Sequence, residues 1–320
     1  DLGAKKLESE NWGRWVDKLQ SGSTYIGYHL DFIKFSEVPQ LFTYSTLSRM
    51  SQDETANYCR YKTAATVNRK TYYGNVEIFH EKGPGRGEGG IKKEVKGDAI
   101  IKSPVNQFDN IPSKNMIEVS VNDGDSIVKL VSYADRLLEF KKRKLNIINV
   151  SQEIEFIEET FHHKGLLSAA CLVETEQGIA WVNQHGAYFY DGKNVTNLLR
   201  MKGRLRISSS DWADFVSEDS LLGYDPIKAQ LILIKSSNAS SSTGGDGYIY
   251  DFVTASWIKG INMLPNSTVK SNFVNDYDGK LVIHHGTQDV QYWDPDTAKT
   301  NSGSDWILKT RDIDFGVPGV

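Results

Sequence analysis

The sequence predicts an all-β protein, a β-propeller of about five to seven antiparallel blades. A strand-end signature of apolar and aromatic residues closed by Asn or Asp recurs four times, ending at Asn149, Asp191, Asp251 and Asp294. The intervals are 42, 60 and 43 residues, and the long one contains a polar insertion rich in Ser and Gly at 236–247. A period of roughly 40 to 50 residues is typical of propeller blades, because one four-stranded sheet cannot bury both faces without neighbours.

The strand pattern divides the chain into two regions. Residues 1–60 show no such period and are predicted to be a docking segment or an incomplete blade, whereas 61–320 is predicted to be the propeller domain. Alternating apolar residues and hairpin-turn residues then predict the strands in order. Strands are expected at 65–68, 70–73, 75–79 and 98–103. The first complete blade is expected to have strands at 117–121, 127–133, 137–140 and 145–150, and later blades use 168–175, 179–183, 187–190, 230–235, 247–252, 281–285 and 290–293.

Aromatic residues in these strands are expected to occupy equivalent blade positions. They are Tyr188, Tyr190, Tyr248, Tyr250 and Trp293. In each Tyr pair we expect one side chain to point inward and the other outward. The recurrent acids at the strand ends are interpreted as caps of turns, since Asp side chains accept hydrogen bonds from backbone N–H groups just beyond them.

Two flexible insertions are predicted to contact neighbouring proteins. Five glycines lie within 83–90, and 236–247 is rich in Ser and Gly, so neither segment has side chains that would order it alone. The predicted contact positions are Gly83, Arg86, Gly90, Ser237, Ser241 and Gly245.

Composition excludes several partners and frameworks. The 320 residues carry 37 basic and 41 acidic side chains, so the net charge of −4 gives no global case for nucleic acid or membrane binding. Cys59 and Cys171 are the only cysteines and are expected to be reduced core thiols. The absence of an initiator Met and the abrupt end at Val320 lead us to expect a piece of a longer polypeptide.

No catalytic or metal constellation is predicted, and no cofactor. The pairs His162-His163 and His284-His285 are the first candidates, but consecutive strand residues face opposite sides and cannot both ligate one ion. The acidic turns 123–125 and 276–279 lack the Glu that closes a calcium loop. A glycosidase is the enzymatic alternative, yet the Ser-x-Asp-x-Gly-x-x-Trp hairpin repeat of sialidases is absent.

Two basic clusters are interpreted as solvated surface. Lys141–Lys144 is expected to be an exposed hairpin turn, and Arg204 and Arg206 are expected to form the solvent face of a strand. If these cations lay along a pore or rim, they could contact passing phosphate backbone without reading its sequence.

Several motifs resemble the β-propeller structural proteins of tailed bacteriophage tails. These are Ile101–Pro112, the series Ile117-Glu-Val, Asn122–Ile127 and Ala134–Lys141, then Gly178–Asn183 with His185–Gly192, and the closing Lys309–Gly316. The resemblance covers roughly residues 60–320. The order of these motifs is similar to that in tail proteins of head-to-tail stabilisation, hub or nozzle type.

The resemblance implies a non-enzymatic virion component, present in several copies as a ring around the path by which DNA leaves. The implied partners are other tail or portal-complex proteins and copies of the same chain, with non-specific contact to DNA in the lumen and no membrane. The implied location is the virion tail, assembled in the bacterial cytoplasm. The alternative is a propeller that binds carbohydrate or a host receptor through exposed Trp and Tyr at loop tips.

Overall fold

The computed structural model describes most of the predicted propeller region. The described residues are 19–21, 24–26, 41–44, 57–80, 92–108, 111–112, 115–119, 124–201, 204–235, 245–261, 263–264, 272–284 and 290–293. Within them the chain is an all-β protein built from successive antiparallel sheets, which is the propeller architecture that the repeat predicts.

The described part of the chain starts with a small hairpin and a six-stranded sheet. The strands are β1 (Leu19–Ser21), β2 (Thr24–Ile26), β3 (Leu41–Tyr44), β4 (Asn57–Val67), β5 (Lys70–His80), β6 (Lys92–Lys102), β7 (Ile111–Pro112) and β8 (Met116–Glu118). β1 pairs with β2, and the large sheet has the order β7-β3-β4-β5-β6-β8, with β3 and β7 parallel. The predicted boundary at residue 60 falls inside β4, which pairs with β3 on one side and β5 on the other.

Three four-stranded meanders follow, here called blades A, B and C. Blade A comprises β9 (Ile127–Tyr133), β10 (Arg136–Lys141), β11 (Lys144–Asn149) and β12 (Phe156–His162). Blade B comprises β13 (Leu172–Thr175), β14 (Gly178–Asn183), β15 (Gly186–Tyr190) and β16 (Val195–Asn197). After the hairpin β17 (Arg200–Met201) and β18 (Arg204–Leu205) and the helix α1 (Ser209–Phe215), blade C comprises β19 (Leu221–Asp225), β20 (Gln230–Ile234), β21 (Gly247–Asp251) and β22 (Ser256–Gly260).

A three-stranded sheet continues the series. It contains β23 (Val274–Asn275), β24 (Leu281–His284) and β25 (Val290–Tyr292). The number of sheets is consistent with the predicted five to seven blades. The described residues include no helix that is long and apolar enough to cross a membrane.

The predicted strand composition of the first blade is wrong at both ends. Met116–Glu118 pairs with β6 and so belongs to the six-stranded sheet, while the fourth strand of blade A is Phe156–His162. This outer strand has mostly exposed side chains on both faces and therefore lacks the apolar alternation that reveals a half-buried strand.

The recurrent strand-end residues close the third strand of their blades. The side-chain oxygen of Asn149 accepts the Ser151 N–H at 2.9 Å, and Asp191 and Asp251 accept the N–H groups two residues further on at 2.8 Å each. The turn-capping role predicted for the recurrent acids is confirmed at Asp191 and Asp251, and Asn149 caps its turn in the same way. Asp294 lies outside the described residues.

The core lies between the faces of adjacent sheets. One face of blade A packs on the six-stranded sheet through Leu137 and Ile148, and the other packs on blade B through Leu138 and Phe140. Cys171 is a buried free thiol in the core, as expected, and burial raises its pKa. The side chain of Cys59 lies outside the described residues.

The predicted opposite orientation of the paired tyrosines is wrong. Tyr188, Tyr190, Tyr248 and Tyr250 are all buried and belong to one hydrophobic cluster. Residues i and i+2 of a strand share a face because the side-chain period is two, so both members of each pair point into the core. The side chain of the residue between them is only half buried in each strand.

Candidate functional site

The candidate site is a cleft of ≈ 380 Å³ between blades A and B, here called the basic cleft. In an antiparallel meander, the turn after the second strand and the connection after the fourth strand lie at the same end of the sheet, opposite the turn after the third strand. The basic cleft therefore lies at the end away from the capped Asn149 and Asp191 turns. Its lining residues are Lys142, Arg143, His162, His163, Leu167, Asn183, Gln184 and His185.

The first wall of the basic cleft is the β10–β11 turn, which a buried carboxylate holds. Both oxygens of Asp125 accept backbone hydrogen bonds, from the Lys142 N–H at 3.0 Å and from the Arg143 N–H at 2.8 Å. These bonds use the backbone of the turn and not its side chains, so the exposed side chains of Lys142 and Arg143 are available to line the basic cleft. Lys141 is fully buried, so the predicted solvated loop at 141–144 is wrong for that residue.

The connection from blade A to blade B forms the floor. His163 has φ +62°, a left-handed conformation that ends the strand alternation at His162, so both imidazoles line the basic cleft. The expectation that the two histidines face opposite sides is therefore wrong. A Cβ on Gly165 would lie 2.4 Å from the Lys142 carbonyl oxygen, so only glycine allows the floor to approach the first wall this closely.

Asn183, at the end of β14, joins the floor to the second wall. Its side-chain amide donates to the carbonyls of His163 at 3.1 Å and Gly165 at 2.8 Å. Its side-chain oxygen accepts from the N–H groups of His185 at 2.8 Å and Gly186 at 3.2 Å. Both N–H donors and both oxygen lone pairs of this buried amide are thus used to fix the backbone that carries His163 and His185.

Two buried indoles fix the same backbone from the core side. Trp181 donates to the Lys164 carbonyl at 3.0 Å, and Trp212 of α1 donates to the Asn183 carbonyl at 2.8 Å. Both indoles are almost fully buried in the cluster that joins blades A, B and C. The positions of the cleft residues are therefore determined by the core.

The charge of the lining is positive. Its titratable side chains are one Lys, one Arg and three His, and no carboxylate is among the lining residues. Two acids lie beside this lining: Asp125 binds the backbone of the first wall, and the Glu218 carboxylate lies 3.1 Å from the Lys142 ammonium in an exposed ion pair. The rings of His163 and His185 meet edge to face with their centroids 5.5 Å apart.

Such a lining offers several hydrogen-bond donors to an anion. Lys and Arg donate hydrogen bonds without accepting them, and a neutral imidazole offers one N–H donor. In the part of the chain that the structure describes, no three His, Cys, Asp or Glu side chains group in a way that could hold a metal ion.

Of the six predicted contact positions, the structure describes only Gly245. Gly83, Arg86, Gly90, Ser237 and Ser241 are outside the described residues. Gly245 is described and buried: its carbonyl accepts the Leu264 N–H at 3.2 Å, and a Cβ there would lie 1.9 Å from the Leu264 carbonyl oxygen. Gly245 thus belongs to the base of the insertion, not to its exposed part.

Sequence reasoning considered His162 and His163 but missed His185 and Asn183. The sequence did contain a signal for these positions. Residues 142–143 and 184–185 each follow the second strand of a blade, and residues 162–163 lie where the fourth strand of blade A ends. Residues at like ends of adjacent blades come together, so the repeat itself could have indicated the cleft.

Comparison with known proteins shows no matching family model and no matching curated protein. Solved structures with similar folds include YCF48 bound to a D1 peptide, at 10% identity over 75% of each chain with a TM-score of 0.39. A protein named as a candidate 6-phosphogluconolactonase from Bacteroides uniformis matches at 10% identity over 76% of this chain and 87% of its own, with a TM-score of 0.39. The extracellular domain of a candidate one-component system from B. thetaiotaomicron matches at 11% identity over 78% of this chain and 30% of its own, with a TM-score of 0.40. These similarities carry no inference about function.

Proposed function

We propose that this chain is a non-enzymatic structural component of a bacteriophage tail, in the hub, nozzle or head-to-tail region. In this proposal several copies form a ring around the DNA exit path. The observation that carries the proposal is the coincidence of the tail-protein motifs with blade-building elements. Ala134–Lys141 is a turn followed by β10, and Gly178–Asn183 with His185–Gly192 is β14, β15 and their turns.

These motifs supply the most buried positions of their blades. Leu137, Leu138 and Phe140 of β10 are at most 1% exposed, and every residue of β14 is buried. A sequence pattern that is this closely tied to packing encodes blade construction, so the tail role in this proposal rests on the resemblance of the motifs and not on the packing itself.

A meander-built propeller suits an assembly role. Its blades bury both sheet faces against neighbours, so insertions can extend from turns without disturbing the core. The Ser-rich insertion begins after β20, and its base is closed by the Lys235 N–H donating to the Asp246 carbonyl at 2.9 Å. We therefore expect the part containing Ser237 and Ser241 to be the docking segment, together with 83–90.

The test is to locate the chain in the virion that encodes it. We expect antibody against the purified chain to label the tail in immunogold electron microscopy, and cryo-EM maps of the tail to contain a ring of propellers. Light scattering of the purified full chain should also show a defined oligomer once its tail partners are added. Absence of the chain from purified particles would refute the proposal.

A second candidate is a propeller that binds carbohydrate, and one observation favours it. Tyr277 is completely exposed in the turn between β23 and β24, and Tyr292 on the adjacent β25 is 59% exposed. The Tyr292 hydroxyl donates to the carboxylate of Asp276, which raises the pKa of Tyr292. Exposed aromatic rings beside a carboxylate are suited to stacking on sugar rings and binding their hydroxyls.

A glycan array separates the two candidates. If the chain binds carbohydrate, Tyr277→Ala should abolish the signal, whereas Val253→Ala, at an exposed position in the turn after the third strand of blade C, should leave it unchanged. Glycan binding by a chain that is absent from the tail would favour the second candidate.

A further inference from the structure

We infer that the basic cleft is a binding site for the phosphate group of a small molecule. The inference does not depend on the proposed location in a tail. It rests on three observations: the lining is cationic, the cleft is concave and of ligand size, and its backbone is held by buried polar groups. Each observation limits the chemistry of the occupant.

The charge and donors of the lining match a phosphate monoester. Lys142 and Arg143 supply two fixed positive charges, and His162, His163 and His185 supply further N–H donors. A phosphate monoester carries a charge of about −1.5 to −2 at pH 7 and three acceptor oxygens. The ion pair between Lys142 and Glu218 is exposed on both sides, so the ammonium can exchange that partner for a phosphate oxygen.

Arg143 is the main anchor in this arrangement. Its backbone N–H is bound to Asp125, while no side-chain partner of its exposed guanidinium is found in the described part of the chain. A guanidinium binds a tetrahedral oxyanion through two parallel hydrogen bonds, which a lysine cannot do.

The shape of the basic cleft favours a small ligand over duplex DNA. Its volume of ≈ 380 Å³ lies in the usual range of small-molecule sites, about 300 to 1,000 Å³. Contact with a duplex requires an extended row of cations that follows the phosphate backbone, and Glu218 adds a negative charge beside Lys142. A single phosphate group between the two turns can accept hydrogen bonds from the Lys, Arg and His donors of the lining.

The site is also pre-organised, which distinguishes it from an incidental surface patch. Asp125, Asn183 and the two indoles fix both walls and the floor, and Gly165 permits their close approach. None of these residues needs to move for the basic cleft to exist. Because the backbone that carries the donors is already held, binding has to order only their side chains, so more of the interaction energy appears as affinity.

The inference is tested by calorimetric titration of the full chain with inorganic phosphate and with glycerol 3-phosphate, at constant ionic strength. We expect saturable binding of both with a Kd below about 1 mM. Arg143→Gln should weaken binding about tenfold or more. The double variant His163→Asn with His185→Gln should weaken it about fivefold; asparagine is chosen at position 163 because it tolerates the left-handed backbone.

The matched control is Lys193→Gln, which removes an exposed cation at the opposite end of blade B. It should change the Kd by less than about twofold. A separate arm follows labelled duplex DNA by fluorescence anisotropy. The inference is overturned if neither phosphate probe saturates below about 10 mM, if Arg143→Gln binds as the parent does, or if the basic cleft binds only duplex DNA and phosphate does not compete.

Discussion

The sharpest test of the cleft architecture is the replacement of Asn183 by Ala. Two of the hydrogen bonds that this change removes are buried, from the side-chain amide to the Gly165 carbonyl and from the Gly186 N–H to the side-chain oxygen. The other two, to His163 and His185, are partly accessible, so water can replace them. Each buried group left without a partner costs about 1–3 kcal/mol. We therefore expect Asn183→Ala to lower the free energy of unfolding by about 2–6 kcal/mol.

Asp191→Ala is the matched control, because it also removes a side chain that accepts two backbone hydrogen bonds, from Lys193 and Asn194. Those bonds are exposed, so the loss should not exceed about 1 kcal/mol. Both values are measured by urea unfolding at pH 7 with linear extrapolation, provided that the m-value is unchanged. If the two variants differ by less than about 0.5 kcal/mol, the argument that Asn183 fixes the floor to the second wall is wrong.

Three further predictions concern the core, the caps and the insertion. Tyr248→Ala should lower the free energy of unfolding by about 3–5 kcal/mol, because its ring is buried, whereas the fully exposed Tyr277→Ala should change it by less than about 0.5 kcal/mol in the same assay. Backbone N–H groups of Asn194 and Lys193 lower the pKa of Asp191. The stability that Asp191 contributes is therefore present above the ordinary carboxyl pKa and is lost as the pH falls from there through the lowered pKa. Asp191→Asn keeps the acceptor oxygen without the titrating group, so this variant should lose less stability than the parent between about pH 5 and about pH 3. Deleting 237–244 while keeping Gly245 should leave the melting temperature nearly unchanged and impair tail assembly; unfolding on this deletion, or full infectivity after it, would contradict the docking role.

The repeat was predictable because its strongest signal comes from third strands. β11, β15 and β21 are largely buried and rich in aromatic or β-branched residues. An Asn or Asp at the end of each strand, or directly after it, caps the next turn, so composition and turn chemistry agree locally. The outer strand β12 was not predictable in the same way, because it lies at the edge of its sheet and its exposed residues follow no apolar period.

The repeat could have placed the segments of the basic cleft at like ends of adjacent blades, but it could not reveal the contacts that hold them. The parts of the cleft are distant in sequence, since Asp125 fixes the turn at Lys142 and Asn183 fixes the floor at Gly165. No spacing rule reveals such contacts until the blades are paired. The conformation of His163 was equally hidden, because alternation was assumed to continue through the end of the strand.

The two ends of the blades are built under different constraints. At one end the third strand closes in the same self-contained way in blades A, B and C, with a side chain that satisfies its own turn. At the other end the corresponding turns share no common cap: blade A uses Asp125, blade B uses Asn183, and blade C carries the Ser-rich insertion closed by Lys235 and Asp246. Repetition is thus confined to the end that maintains the fold. The opposite end can acquire new binding surfaces one blade at a time, since a change in one of its turns leaves the caps of the others intact.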